Sequence, residues 1–191
     1  DFRSRLSVSS LTIDLSPVRG FVSLRFNPHG ATNDCGLLSP LALLLWGIAS
    51  NQRAAMHHAL SEGVFAPLSA CLHQLAIAGP KPLACLLNPG TAEFLVRELR
   101  GLLRVVCQAD DSPVDNVMHV PSDDVRRLTE PGVKVPVAAI AILFRAMRLR
   151  VTIDFACRGT VTRHEVGRAG PHLGTLEVRD RCLVEAEDAR C

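Results

Sequence analysis

Tyrosine is missing from this 191-residue chain, and all aromatic residues together make up 4% of it. A core must therefore be built from Leu, Val, Ala and Ile. Lysine is nearly missing too: of 21 Lys and Arg, only Lys81 and Lys134 are lysine. A GC-rich coding sequence produces this bias, and a chain that avoids ubiquitin attachment to itself would show the same. No C-x-x-C pair occurs among the seven cysteines, and their closest spacing runs from Cys182 to Cys191. That argues against a zinc ribbon and a disulfide framework, and for a reducing compartment. The longest apolar run, Leu41 to Ala49, is far too short to cross a bilayer. Acids and bases are mixed along the chain at a net charge of +2, with no basic stripe and interleaved aromatics, so neither nucleic acid nor a membrane is indicated as a partner. Asp1-Phe2-Arg3-Ser4 shows neither an initiator Met nor a signal-peptide core, which reads as a processed or excised piece.

What the chain does have is 48% apolar residues and a mean hydropathy of +0.21, enough for one folded domain over residues 1–191. Alternation over 6–15 and 21–26 predicts an N-terminal β-hairpin at about 6–27. A helical region at about 35–148 follows. Residues 52–61 and 64–78 read as helices, the second carrying Cys71 and His73. Thr91 is expected to cap an amphipathic helix over 92–107, Ser122 to open a short helix reaching Leu128, and Pro136 to start a buried Ala/Ile-rich helix over 136–148. The period then changes to two. Strands at 151–155, 161–166, 173–178 and 182–186 predict a short meander, giving C-terminal strands over about 151–187. Strands, helices, strands make an α+β chain, a helical region packed on a small, mostly antiparallel sheet.

The segment richest in chemical possibility is Ala31-Thr32-Asn33-Asp34-Cys35-Gly36-Leu37-Leu38, which runs into Ser39-Pro40 and a strongly apolar stretch. A cysteine at a helix start sits among backbone N–H groups whose partial positive charge favours thiolate over thiol. The same groups can hold the oxyanion that forms when the thiolate attacks a carbonyl. The octapeptide also reads as an ordinary helix cap with Cys35 as a small buried hydrophobe. The helix has two possible starts. Asp34 can cap it with Cys35 in the first turn, which places Pro40 inside and kinks it. Alternatively Ser39 caps it, Pro40 is the first helical residue, and Cys35 stays in the loop.

A cysteine nucleophile needs a base, usually a histidine delivered by the fold. His57 and His58 fall on a polar helix and His73 on a helix beside Gln74, positions that suit surface roles. His29 shares the loop with Cys35, and His119 lies between Asp115 and Asp123. His164 is inside a strand. His172 stands where the Gly170-Pro171 turn meets the next strand, a junction that holds a side chain firmly and leaves it accessible. It is the leading candidate, with His164 in reserve and His119 third. Cys71, Cys85, Cys107 and Cys157 fall in apolar surroundings and are expected to be inert.

The order of elements resembles the ovarian-tumour-type (OTU) cysteine proteases, which have a papain-like fold, and most of all the divergent versions in viral polyproteins. The family's Asp-Gly-x-Cys before an apolar helix is matched by Thr32-Asn33-Asp34-Cys35-Gly36-Leu37-Leu38. Its later helix and Ile-x-Val strand are matched by Val137 to Ile153, with Ile140, Leu143 and Leu149 in the apolar places. Its strand, short turn and base histidine are matched by Arg163-His164-Glu165-Val166, Gly167 to Pro171, and His172-Leu173. The similarity spans roughly residues 30 to 178. The departures are Thr32 in place of an Asp three residues before the nucleophile, Leu173 in place of an aromatic, Gly174 in place of an Asp or Asn after the base, and an unusual Ser39-Pro40.

The resemblance implies a thiol hydrolase that cuts ubiquitin linkages and, as in some viral members, a polyprotein junction. Cys35 would be its nucleophile, His172 its base, and the Thr32, Asn33 and Asp34 loop would line the oxyanion. No metal or cofactor is required. Gly174 implies a dyad, or a triad completed by a backbone carbonyl, a water, or Thr32, Asn33 or Thr175. The implied partners are ubiquitin or a ubiquitin-like protein, and the implied location is the cytoplasm of a host cell. The alternative, from another class, is a non-catalytic interaction module excised from a large viral or bacterial polypeptide, in which Cys35 is merely packed.

Overall fold

A computed structural model describes residues 10–14, 21–24, 35–49, 53–61, 63–77, 82–110, 120–157 and 160–179. The chain is α+β. Strands β1 (Ser10–Asp14) and β2 (Phe21–Leu24) come first. Helices α1 (Cys35–Ala49), α2 (Arg53–Leu60), α3 (Ala66–Ile77), α4 (Pro89–Ala109), α5 (Ser122–Arg127) and α6 (Val137–Ala146) follow, and the described part ends with β3 (Arg150–Cys157), β4 (Thr160–Val166) and β5 (His172–Arg179). Short 3-10 turns at Gly63–Phe65 and Pro82–Leu87 lead into α3 and α4.

The helix α1 is the centre of the helical layer. Its sequence is apolar all round, and a helix of that kind is stable only when every side is covered. Leu37, Leu38, Leu41, Leu43, Leu44, Leu45 and Ile48 are all fully buried. They are enclosed by α2, α3, α4, α6, β1 and β5, each of which α1 touches. At roughly 1.5–3 kcal/mol per buried aliphatic side chain, α1 supplies a large share of the folding drive. By contrast α4 is amphipathic, and buries Leu95, Leu99, Leu103 and Val106 along one stripe. Its cap is Asn88, whose side chain accepts from the Thr91 N–H at 3.1 Å, so the expectation that Thr91 caps this helix is corrected. Asn88 wins because Pro89 takes the first helical position, where a missing N–H costs nothing.

A buried arginine ties α4 to the segment before α6. Arg100 donates from Nη1 to the Leu128 carbonyl at 3.0 Å and from Nη2 to the Val133 carbonyl at 2.8 Å. Those two bonds hold the turn that leads to Val135 and Pro136, the cap of α6. Val135 in turn meets the start of α1: a side chain on Gly36 would begin 3.9 Å from the Val135 Cβ.

The sheet has the order β2-β1-β5-β3-β4. All neighbours are antiparallel except β3 and β5, which run parallel with Ile153 opposite Leu176 and Phe155 opposite Val178. The expected meander is therefore corrected, since β5 pairs with β3 and β1 rather than with β4. The fourth predicted strand, at 182–186, lies outside the described residues. The physical reason for the strand order is the connection from β4 to β5, which crosses over the link between α6 and β3. Gly167 and Gly170 have φ of 83° and 94°. A side chain on either would collide with the carbonyl of Leu149 or Arg148, respectively. Only glycine permits so close a crossing.

Below that crossing α6 ends in a Schellman motif. The N–H groups of Arg148 and Leu149 bond to the Arg145 and Phe144 carbonyls at 3.1 and 3.0 Å. The residue in the left-handed position, with φ of 55°, is Arg148 where glycine is the usual occupant.

Two outcomes follow for stability. Arg100→Met keeps most of the volume but strands the Leu128 and Val133 carbonyls, and is expected to lower unfolding free energy by about 2–4 kcal/mol in urea titration. Arg148→Gly relieves the left-handed conformation while adding freedom to the unfolded chain. It is expected to leave stability unchanged or raise it by up to about 1 kcal/mol.

Candidate active site

Cys35 is the first residue of α1, so the first of the two alternative helix starts is the one adopted. Pro40 lies inside the helix and cannot donate to the Gly36 carbonyl, which loosens the turn next to Cys35. Ser39, one turn on from Cys35, is fully buried, and its hydroxyl has no hydrogen-bond partner among the described residues. Thr32, Asn33 and Asp34, the expected oxyanion loop, lie outside the described residues, as do His29 and His119.

His172 opens β5, as the sequence predicts, and is half-buried. Its surroundings are not those of a base for Cys35. Two observations separate the pair. First, His172 belongs to the far end of α1: its neighbour Leu173 packs on Gly47, where an added side chain would begin 2.9 Å from Leu173 Cδ2. Gly47 is twelve residues beyond Cys35, which at ~1.5 Å per residue is about 18 Å along the helix. Second, His172 is tied to the other face of the sheet. Its Nε2 lies 2.9 Å from the Thr152 hydroxyl, which donates to Glu165 Oε1 at 2.8 Å. Strand alternation puts Thr152 and Glu165 opposite in direction to Val151, Ile153 and Val166, which point into the core shared with α1 and α6. The described contacts of His172 thus lie at the Gly47 end of α1 and on the outer face of the sheet. The reason is tertiary: the glycine crossing delivers the start of β5 to the end of the helical layer where α1 finishes.

Thr152 and Glu165 are the residues that the sequence reading did not foresee. The only sequence signal was strand alternation, which becomes informative once Thr152 and Glu165 are known to be partners across β3 and β4. On the same outer face Arg163 makes a two-pronged pair with Asp154, 2.8 Å at each contact.

Of the remaining described histidines, one lies on the sheet and three lie together on α2 and α3. His164 stands on β4 opposite Ile153, facing the helices, with its ring edge-on to Phe155 at 5.3 Å between centroids. His57 and His58 are exposed on α2. The expected surface role of His73 is corrected. Its Nδ1 lies 2.8 Å from the Ser69 carbonyl, its Nε2 is buried, and its ring meets His57 edge-on at 5.4 Å. Among the described residues no group of three or more His, Cys, Asp and Glu is placed to hold a metal ion, and no helix is long and apolar enough to cross a membrane.

The thiols of Cys71, Cys85 and Cys107 are shifted toward the protonated form. Burial raises Cys71 and Cys85, and the charge of Glu98 adds to the effect at Cys71. Burial, with Asp110 nearby, pushes the Cys107 thiol from 9.0 up to about 12 against the opposing influence of Arg145. The folded state thus favours the neutral Cys107 thiol. Its contribution to stability is intact below pH 9 and is lost as the pH rises from there through about 12. The urea midpoint of the wild type is expected to fall between pH 8 and pH 10.5 by more than that of Cys107→Ala. Equal falls in the two proteins would contradict the assignment.

Compared with known proteins, the chain matches no family model, no curated protein and no solved structure.

Proposed function

We infer that the chain is a thiol hydrolase of the papain-like, OTU type, with Cys35 as nucleophile. The observation that carries this reading is the position of Cys35 as the opening residue of α1, a helix buried on all sides beneath the sheet. There the free N–H groups of the first turn favour a thiolate and can hold an oxyanion. The order of α6, β3, β4 and β5 after α1 supports it. In the reaction the Cys35 sulfur attacks the carbonyl of a substrate glycine, the amine leaves with a proton, and water then releases the acyl group. For the base this reading turns to the sequence's reserve candidate, His164, and after it to His119. The C-terminal tail of ubiquitin or of a ubiquitin-like protein, or a polyprotein junction, is the substrate that the resemblance suggests.

One observation favours a second reading. His172 is bound into the Thr152–Glu165 link on the outer sheet face, as a structural histidine would be. A non-catalytic interaction module would have that arrangement and a packed Cys35.

A ubiquitin probe with a C-terminal electrophile separates the two. In the hydrolase it is expected to label the wild type and not Cys35→Ala. His172→Ala should keep labelling within about threefold, and His164→Ala should slow it by at least about a hundredfold, the usual range for a general base. Absence of labelling in the wild type, or labelling that persists in Cys35→Ala, would favour the interaction module.

A further inference from the structure

At the end of α1 opposite Cys35 there is a cavity of about 590 Å³ between α2, the Gly63–Phe65 turn, the end of α6 and the β4–β5 crossing. That size is ordinary for a small-molecule site. The space exists because its walls are small: Ala55 and Ala59, one turn apart on α2, face Ala146, Ala169 and Gly170. Val64 and Phe65 add apolar surface. One wall is rigid, since the Gly170 crossing is pressed onto the Arg148 carbonyl. The cavity is therefore already formed before any ligand arrives.

The described part of its lining carries charge of one sign. Among the described lining residues Arg148 is the only one with a permanent charge, His58 is the other polar side chain, and no carboxylate is present. Arg148 is also the residue in the left-handed position of the Schellman motif. Glycine or asparagine would occupy that place at lower conformational cost. A strained, bulky cation retained at the rim of an apolar cavity points to a use for its side chain.

We propose that this cavity binds a small aliphatic carboxylate, with the chain against the alanine walls and the carboxylate on the Arg148 guanidinium. A guanidinium pairs with a carboxylate through two parallel N–H···O bonds, which an ammonium or hydroxyl headgroup cannot accept in the same way. The site lies at the far end of α1 from the thiol, so it stands or falls independently of the hydrolase reading.

The test is calorimetric titration of the full chain with octanoate, octanol and octylamine. Arg148→Gly is the decisive variant, because it removes the cation at a position that favours glycine, and its thermal midpoint serves as the folding control. Octanoate is expected to bind saturably and at least about tenfold more tightly than octylamine. Arg148→Gly should weaken octanoate by about tenfold and leave octanol unchanged, with no fall in thermal midpoint. Ala59→Phe, which fills the space, should abolish binding of both. The proposal is overturned if octanoate shows no saturable binding, if octylamine binds as tightly, or if Arg148→Gly binds octanoate like the wild type.

Discussion

Everything in this molecule is arranged around the need to cover α1. A fifteen-residue helix with aliphatic side chains on all its faces cannot lie on a surface, so the other elements must enclose it. The consequence reaches well beyond the helix. The strands β1 and β5 are drawn over it on one side and α2, α3 and α4 on the others. Its first turn is thereby pinned against Val135, and its last against Leu173 and Met56. The buried Arg100 serves the same end, because the turn it holds through two carbonyls is the one that brings Val135 to Gly36. Satisfying a buried guanidinium with backbone carbonyls is a costly device unless both bonds are made, and here both are.

A second constraint, the glycine crossing between β4 and β5, decides what the ends of that helix meet. Because Gly167 and Gly170 let the chain pass over the Leu149 and Arg148 carbonyls, β5 enters the sheet beside β3 rather than beside β4. One short connection therefore sets the mixed strand order, the wall of the cavity and the location of His172. The same crossing that walls the cavity beside α2 and α6 also sets His172 against Thr152 on the outer face of the sheet.

Two polar networks divide the labour on the sheet. The helix-facing side carries Val151, Ile153, Phe155, Leu176 and Val178 into the core, with His164 the one titratable ring on that side among the described residues of β3 to β5. The outer side carries the His172–Thr152–Glu165 chain and the Asp154–Arg163 pair. Both networks link neighbouring strands, so each reinforces the sheet, whatever further role its members have.

Much of this was legible in the residues alone. Periodicity placed the six described helices to within a few residues, and the three described strands that follow α6, because apolar spacing is a local property that each segment carries with it. The α+β class followed from the order of those segments, and the place of Cys35 at the border of loop and helix from the change in polarity at Leu37. Local chemistry was a poorer guide where two residues compete for one role: Asn88 took the cap expected of Thr91, and Cys35 rather than Pro40 opened α1. Which strand lies beside which was decided only by tertiary structure. β5 is set between β3, its near neighbour in the chain, and β1 from the other end of it, by burial of α1 and by a two-glycine crossing, and no spacing within a segment encodes that.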